Sequence, residues 1–158
     1  MYSPVRPTRQ TTVVVLFSII SLCLAACSGE DSSERLVNAS MGGKADVIRR
    51  CLEKGADVNA ADKKFNATAL MWAAHNGHVE ALNVLLANGA DMDRQGSRGE
   101  TALWFAAQKG QLETLKILVE NGADINTVGR DGYSPIAIAE KNGHSDIVDY
   151  LKSAGAAR

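Results

Sequence analysis

The chain has 158 residues, which is an ordinary length for one domain. Its 17 basic and 18 acidic residues give a net charge of −1, and this balance argues against nucleic acid as a partner, because surfaces that bind nucleic acid carry a basic excess. Hydrophobic residues make up 46% of the chain but aromatic residues only 5%, so the composition favours a core of aliphatic side chains and offers no aromatic and basic platform for stacking bases.

The first 26 residues have the features of a targeting segment that is removed from the mature protein. Arg6 and Arg9 form a basic start, and an apolar run of 12 residues follows at positions 13–24. This run is too short to cross a bilayer comfortably, since a spanning helix needs about 20 residues. Two alanines then lead to Cys27. We therefore predict that residues 1–26 are a cleaved signal peptide.

The residues at the predicted cleavage site, Leu24-Ala25-Ala26-Cys27, resemble the lipoprotein box of bacteria. The resemblance implies that Cys27 is lipidated and becomes the mature N-terminus. A thiolate is the nucleophile that can accept a diacylglycerol group, and several acyl chains anchor a protein stably where one chain would not. An aspartate directly after the lipidated cysteine would resemble the signal that retains lipoproteins in the inner membrane. This chain has Ser28 at that position, which favours the periplasmic face of the outer membrane. The alternative is an ordinary secretory signal whose cleavage site happens to precede a cysteine.

A short polar stretch follows the predicted lipidation site. Residues 27–33 are interpreted as the lipidated cysteine and a tether, because the sequence SGEDSS after Cys27 is small and polar, as flexible linkers are. Six residues reach at most about 20 Å. The folded domain, predicted to span residues 34–158, would stay close to the membrane surface.

From there onward the sequence repeats itself with a period of 33 or 34 residues. Thr68–Asp91 returns as Thr101–Asp124 with 13 of 24 positions identical, and a weaker copy starts at Ser134. Such a period predicts a stack of similar units, each of which touches only its neighbours. Two series of glycines mark the spacing: Gly43, Gly77, Gly110 and Gly143, and Gly55, Gly89, Gly122 and Gly155.

Each unit predicts two short helices followed by an extended stretch rich in turns. In the second unit Thr68 is a helix N-cap and Gly77 ends the first helix. A second helix from about His78 carries an apolar stripe at helical spacing and ends at Gly89. The stripe consists of Val79, Leu82, Leu85 and Leu86.

The two end units differ from the middle ones in a way that indicates caps. The first unit, which ends near Asn59, lacks the Thr-x-Leu start of its first helix. The last unit has Lys152 in place of the second apolar residue of its stripe. End units of a repeat stack need one polar face, so both are predicted to be capping units.

These motifs resemble the ankyrin repeats over roughly residues 34–158. The family's Thr-Pro-Leu-His segment appears as Thr68-Ala69-Leu70-Met71, Thr101-Ala102-Leu103-Trp104 and Ser134-Pro135-Ile136-Ala137, and the Ala-Ala pair, the Gly-His turn and Gly-Ala-Asp-x-Asn follow at the same spacing. The resemblance implies an all-α ankyrin-repeat solenoid of about four repeats, including two capping units, with β-turn loops between them. No unit keeps the family's histidine, which ties neighbouring turns by hydrogen bonds. Met71 and Trp104 at that place predict apolar contact instead.

No residue pattern predicts catalysis, a metal site or a cofactor. His78 and His144 occupy the Gly-His turn, where the resemblance implies a structural imidazole; the alternative, a metal site, lacks a complete set of ligands. Cys51 lies at helical spacing with apolar residues and is predicted to be buried, the alternative being a reactive thiol. Three acids recur once per unit on outward helix faces and are interpreted as solvated charges: Glu80, Glu113 and Asp146.

The positions that vary between units indicate a surface that binds another protein. In ankyrin-like stacks the turn tips and the ends of the first helices line a concave groove, so the resemblance implies the same use here. The candidate contact residues are Lys64, Phe65, His75, Arg98, Glu100, Lys109, Arg130, Asp131, Tyr133 and Lys141. Aromatic and arginine side chains are frequent interface hot spots, and the basic excess at these positions predicts a partner with an acidic, partly apolar surface. The alternative is that the tips vary because nothing constrains them.

Three further aromatic residues, Trp72, Trp104 and Phe105, are predicted to be core or seam residues and not partner contacts. The sequence as a whole predicts a monomeric, membrane-tethered, non-enzymatic module of the periplasm that binds a protein. It can act as the inhibitor or immunity partner of an envelope enzyme, or as its scaffold. The alternative is a structural or stress-related envelope lipoprotein without a dedicated partner. Tip residues encode a surface and not an identity, so the partner is not named by the sequence.

Overall fold

The structure is a computed structural model that describes residues 29–156, with side chains from residue 32 onward. Within this range the backbone forms eight helices and no strand apart from one isolated antiparallel bridge between Ala61 and Thr68. The predicted all-α solenoid is therefore confirmed. The helices are α1 Gly29–Met41, α2 Ala45–Glu53, α3 Ala69–Asn76, α4 Val79–Ala87, α5 Ala102–Lys109, α6 Leu112–Glu120, α7 Pro135–Asn142 and α8 Ser145–Ser153.

The start of α1 differs from the prediction for the tether. Residues 29–33 are helical and form the beginning of α1, so this part of the stretch 27–33 is not an extended linker. Ser32 and Ser33 are half-buried, so the small polar side chains of this stretch are compatible with the first turns of a helix as well as with a tether. The predicted signal peptide and Cys27 lie outside the described residues.

The first helices of the last three units begin and end in the same way. The side-chain oxygens of Thr68, Thr101 and Ser134 accept hydrogen bonds from the backbone N–H three residues later, at 3.3, 3.3 and 3.4 Å. Each helix ends at a glycine in the left-handed region, where a β-carbon would be costly. The predicted N-caps and the helix-ending role of Gly77 are confirmed.

The helices form two layers that are unequally spaced. The first helices of the units (α1, α3, α5 and α7) contact one another more closely than the second helices (α2, α4, α6 and α8) do. The first helices can approach because alanine pairs lie between them: Ala73, Ala74, Ala106 and Ala107 are all fully buried. Leucines and isoleucines hold the second helices further apart. Each unit is thus a wedge, and the stack curves toward the first helices.

The core runs without interruption through the stack. Its buried hydrophobic residues extend from Leu36 to Leu151, so the described part of the chain contains a complete core. Cys51 belongs to it with 4% exposure, which confirms the prediction of a buried core residue. None of the helices in the described range is long and apolar enough to cross a membrane.

Two histidines join neighbouring units at the turn between the helices. His78 Nε2 lies 3.1 Å from Met41 O, and His144 Nε2 lies 3.1 Å from Gln108 O. Because a carbonyl oxygen can only accept, each ring carries a proton on Nε2 and donates it to the preceding unit. The predicted structural role of these histidines is confirmed.

An asparagine beside each of these histidines donates to the same carbonyl. Asn76 and Asn142 reach it with Nδ2 at 2.9 Å in both cases. The middle unit has Lys109 and Gln111 at these two places and makes no corresponding pair of bonds. Instead the buried Thr114 hydroxyl lies 3.5 Å from a carbonyl of the preceding unit. At this turn the middle seam therefore has one side-chain hydrogen bond between units, whereas each neighbouring seam has two.

At the first-helix positions where the family's histidine is missing, the contacts are less apolar than the sequence predicts. Trp104 is 2% exposed, yet its indole Nε1 donates to Tyr133 O of the next unit at 3.2 Å. The prediction that apolar contact replaces the hydrogen bond is wrong for this residue, because an indole combines a large apolar ring with one N–H donor. At Met71 the sulfur lies 3.3 Å from the Thr68 N–H, within its own unit.

Candidate functional site

Three loop tips lie side by side along the first-helix side of the stack. They are residues 62–67, 96–100 and 129–133, and backbone hydrogen bonds join each to the next. The N–H of Ser97 donates to Phe65 O at 2.8 Å, and that of Arg130 donates to Arg98 O at 2.7 Å. This ladder fixes the spacing of the tips. We use "inner surface" for these tips together with the exposed residues of α3, α5 and α7.

One carboxylate organises the first tip. Asp62 Oδ1 accepts the N–H groups of Lys64 and Phe65 at 2.9 and 2.7 Å. Its Oδ2 accepts the N–H of Ala67 at 3.2 Å and the indole Nε1–H of Trp72 at 3.0 Å. Asp62 therefore holds the Trp72 side chain directly and fixes the backbone from which the Phe65 side chain projects. Asp62 is not among the residues predicted from the sequence, although an aspartate that opens a turn is a known signal for such bonding.

Four side chains form an aromatic patch on the inner surface: Phe65, Trp72, His75 and Phe105. The ring centroid of Trp72 lies 6.1 Å from that of Phe65, 5.5 Å from His75 and 6.4 Å from Phe105, and His75 and Phe105 are 5.7 Å apart. Phe65 is 44% exposed and the other three are half-buried. Trp72 and Phe105 are thus seam residues, as predicted, but they also form part of the surface; Trp104 lies in the core, as predicted.

Cationic side chains flank the patch. Lys64 Nζ lies 4.8 Å from the ring centroid of Phe65, and Lys141 Nζ lies 4.2 Å from that of Tyr133. Lys109 is exposed at the end of α5. Cations this close to ring faces are attracted by the ring quadrupole, which orients the lysine stems along the surface. The structure therefore brings the basic and aromatic residues predicted from the sequence onto one side of the stack.

Glu100 does not match its prediction as a partner contact. It is only 4% exposed, and its two oxygens accept from the Arg98 backbone N–H at 3.0 Å and from the Arg98 Nε at 2.7 Å. The carboxylate therefore orders the second tip from inside and is not presented to a partner. In the third tip Asp131 Oδ1 accepts from the N–H of Tyr133 at 3.2 Å, but Asp131 remains exposed.

The inner surface carries a basic excess. The three tips and the first helices α3, α5 and α7 contain six basic residues, all exposed: Lys63, Lys64, Arg98, Lys109, Arg130 and Lys141. They contain four acidic residues, of which Asp62 and Glu100 are occupied within the tips and Glu140 lies 3.6 Å from Lys152. Glu100 already neutralises Arg98, and the formal balance on this side is two positive charges.

The second helices have the opposite balance. They contain seven acidic residues and four basic residues; the acids are Asp46, Glu53, Glu80, Glu113, Glu120, Asp146 and Asp149. Glu80 binds Arg49 at 3.0 Å, and this hydrogen bond raises the pKa of the Arg49 guanidinium above its ordinary value. Glu80, Glu113 and Asp146 are exposed, as predicted for solvated charges. Opposite charge balances thus distinguish the two sides of the stack.

Nothing in the described range resembles a catalytic or metal centre. No group of three histidine, cysteine, aspartate or glutamate side chains between residues 32 and 156 is placed to hold a metal ion. A cleft lies at the last unit, next to Gly143 and His144. In the preceding units the corresponding glycines are covered by side chains of the next unit, His78 over Gly43 for example, whereas Gly143 faces open space. The cleft is therefore the uncovered seam of the last described unit.

Comparison with known proteins identifies the repeat family. The family profile described as "Ankyrin repeats (3 copies)" matches residues 18–96, 36–129 and 88–157. The chain is 47% identical to palmitoyltransferase Hip14 of Drosophila melanogaster over 53 residues, which are 34% of this chain and 8% of that protein. It is 39% identical to 2-5A-dependent ribonuclease of Mus musculus over 70 residues, or 44% and 9% of the two chains.

A human relative shows the same partial overlap. Ankyrin repeat domain-containing protein 17 of Homo sapiens is 42% identical over 65 residues, which are 40% of this chain and 2% of that protein. The chain thus matches between 2% and 9% of the length of these three relatives, in segments of 53 to 70 residues, which is about two repeats. Their overall activities do not transfer through so short a segment. The family profile, in contrast, matches most of the chain, and the protein belongs to the ankyrin-repeat family, whose arrays generally serve as protein-interaction modules.

Proposed function

We propose that this protein is a lipid-anchored protein of the bacterial cell envelope that binds another protein through its inner surface. The observation that carries the proposal is the aromatic patch with its flanking cations on tips that are ordered by hydrogen bonds. Aromatic and cationic side chains are the types that contribute most to interface energies. Since the ladder and Asp62 hold these side chains in place, binding costs less conformational entropy than on a mobile loop.

The proposed location depends on the N-terminal segment. The basic start, the short apolar run and Leu24-Ala25-Ala26-Cys27 together support cleavage before Cys27 and its lipidation. Ser28 favours delivery to the periplasmic face of the outer membrane. With α1 beginning at Gly29, few residues separate the anchor from the stack, so the inner surface would work close to the membrane. The proposal assigns the protein no catalytic step.

Two modes of action fit this placement. As an inhibitor or immunity partner, the stack would cover the active site of an envelope enzyme. As a scaffold, it would hold such an enzyme at the membrane and leave its active site open. The two modes predict opposite results for the same measurement, because only the first reduces the activity of the bound enzyme. The assay is to add residues 28–158 to the captured partner.

The proposal is tested by affinity capture from envelope extract on immobilised residues 28–158. This segment contains the complete core of the described residues. A variant with Phe65, Lys109, Arg130 and Lys141 changed to alanine removes exposed inner-surface side chains and leaves the Arg98–Glu100 pair intact. A matched control changes the exposed Lys44, Lys54, Glu113 and Asp149 to alanine.

We expect one protein to be enriched on the wild-type segment and on the control, and to be lost from the inner-surface variant. When two or three hot-spot side chains are lost, each loss commonly weakens the free energy of binding by about 2 kcal/mol or more. Equal recovery on all three surfaces, or no enrichment on any, would remove the proposal. The favoured function would then be that of a structural envelope protein without a dedicated partner.

A further inference from the structure

We propose that the inner surface recognises an acidic protein segment that carries one large apolar side chain. The apolar side chain would lie on the aromatic patch, and the flanking carboxylates would meet Lys64, Lys109 and Lys141. This inference rests on the proposed function, because it names the chemistry of the protein that the inner surface binds. It follows from three features of the described residues: an exposed apolar centre, exposed cations on the same inner surface and an excess of bases over acids there.

The apolar centre is the part of the patch that water still reaches. Phe65 is one of two large hydrophobic residues that are exposed in the described part of the chain, at 44%. It projects from the first tip and meets Trp72 edge-on, with an angle of 67° between the rings. Trp72 and Phe105 form the floor beside it. A partner side chain placed here would cover apolar area on three rings, which is the main source of affinity that the surface offers.

The cations determine the charge of the partner. Lys64, Arg98, Lys109, Arg130 and Lys141 are all exposed on the inner surface that contains the patch. Arg98 forms an ion pair with Glu100 at 2.7 Å, whereas the ammonium groups of Lys64 and Lys141 lie over aromatic rings. Carboxylates of a partner would therefore be attracted and a basic segment repelled. Such complementarity sets specificity and association rate more than total affinity.

The arrangement of the rings argues for a protein segment and against single-stranded nucleic acid, which also combines negative charge with flat apolar groups. Binding of bases needs open ring faces on which they can stack. Here the rings of Trp72 and Phe105 lie at 23° to each other with centroids 6.4 Å apart, and His75 meets both of them edge-on. The faces of the Trp72 and Phe105 rings are therefore largely occupied by contacts within the patch. A side chain that packs against edges from above needs no such opening.

The test uses the two tryptophans as reporters in the same spectrum. The chain contains only Trp72 and Trp104; the first lies in the patch and the second is 2% exposed in the core. Residues 28–158 are labelled with nitrogen-15, and the indole N–H signals are assigned with Trp72→Phe. The probe is a short synthetic peptide with a central phenylalanine between glutamates. Matched peptides replace the glutamates by lysines, or the phenylalanine by alanine. An oligothymidylate is the fourth probe.

We expect the glutamate–phenylalanine peptide to shift the Trp72 signal and to leave the Trp104 signal nearly in place. Both matched peptides should bind roughly tenfold more weakly, since each lacks one of the two contacts. The double substitution Lys64→Glu with Lys141→Glu should lower the affinity for the acidic peptide by about tenfold. Lys44→Glu with Lys54→Glu makes the same change of charge elsewhere and should alter this affinity less than about twofold.

Other results would overturn the inference. Equal binding of the acidic and basic peptides would show that charge does not select the partner, and stronger binding of the oligothymidylate would assign the patch to nucleic acid. No shift of the Trp72 signal by any probe would also overturn it. If the acidic peptide shifts Trp72 but envelope capture enriches no protein, the recognition chemistry stands and the proposed function fails. If capture succeeds and the peptide does not bind, the proposed function stands and the recognition chemistry fails.

Discussion

At the scale of single residues, two carboxylates, the half-buried Asp62 and the buried Glu100, organise the tips that present the candidate site. Asp62 satisfies four N–H donors, one of them the indole of Trp72, and Glu100 satisfies two groups of Arg98. Carboxylates can do this because each oxygen accepts more than one bond, and bonds to a charged acceptor are stronger than neutral ones. These residues position the contact residues and do not contact a partner themselves.

Asp62→Ala should therefore lower the free energy of unfolding by about 2–3 kcal/mol, since it leaves a half-buried indole N–H and three backbone N–H groups without their acceptor. Asp57→Ala is the matched control, because Asp57 is exposed and accepts one bond, from the N–H of Asn59 at 2.9 Å. It should cost less than about 1 kcal/mol. Urea unfolding followed by circular dichroism measures both. Equal losses for the two variants would contradict the organising role of Asp62.

Substitution of Glu100 separates positioning from contact in the second tip. Glu100→Gln keeps the shape of the side chain but removes the charge that faces Arg98, so we expect a loss of about 1–2 kcal/mol in the free energy of unfolding. The loss should appear without any partner present, in a urea titration of residues 28–158. A variant with unchanged stability and weakened peptide binding would instead restore Glu100 to the list of contact residues.

At the scale of elements, the turn between the two helices of each unit sets the strength of the seams. In the second and fourth units an asparagine and a histidine donate to one carbonyl of the preceding unit. In the third unit Gln111 covers Gly77, as the histidines cover Gly43 and Gly110, but it has no such bond. At this turn the middle seam keeps the packing but has one hydrogen bond between units, from Thr114, in place of two.

Gln111→His should supply the missing bond and raise the free energy of unfolding by about 1 kcal/mol, because the new ring would lie over Gly77 and face the His75 carbonyl, the counterpart of Met41 O. His144→Ala should lower it by about the same amount, since it leaves the Gln108 carbonyl with Asn142 alone. Denaturant titrations of the two variants and of Gln111→Ala give the comparison. Destabilisation by Gln111→His would show that the middle seam cannot accept the ring.

At the scale of the whole molecule, the anchor and the stack have separate roles. The described residues contain a complete core, so the proposed lipid on Cys27 adds location and not folding stability. We expect Cys27→Ser to move the protein from the membrane fraction to the soluble fraction and to abolish incorporation of labelled fatty acid. A Cys27→Ser protein that is processed and distributed like the wild type would favour the ordinary secretory signal.

The sequence by itself determined the repeat, the helices and their ends, because each depends on residues close together in the chain. The caps at Thr68, Thr101 and Ser134, the left-handed glycines and the buried stripes are local patterns with one physical solution. The structural histidines and the burial of Cys51 follow from the same periodicity. For the same reason the sequence could predict which positions recur at the tips and the helix ends.

Only the tertiary structure decided what those positions do, because their partners lie in other units or across a loop. It showed that Glu100 is buried and is not a contact residue. It also showed that the Trp104 indole donates to the next unit. The side chains that it places in one patch are Phe65, Trp72, His75 and Phe105. Burial and hydrogen bonding between units depend on how wedges stack, and the closeness of the first helices sets that geometry. The repeat period fixes which residues are equivalent; the stacking decides which of them meet.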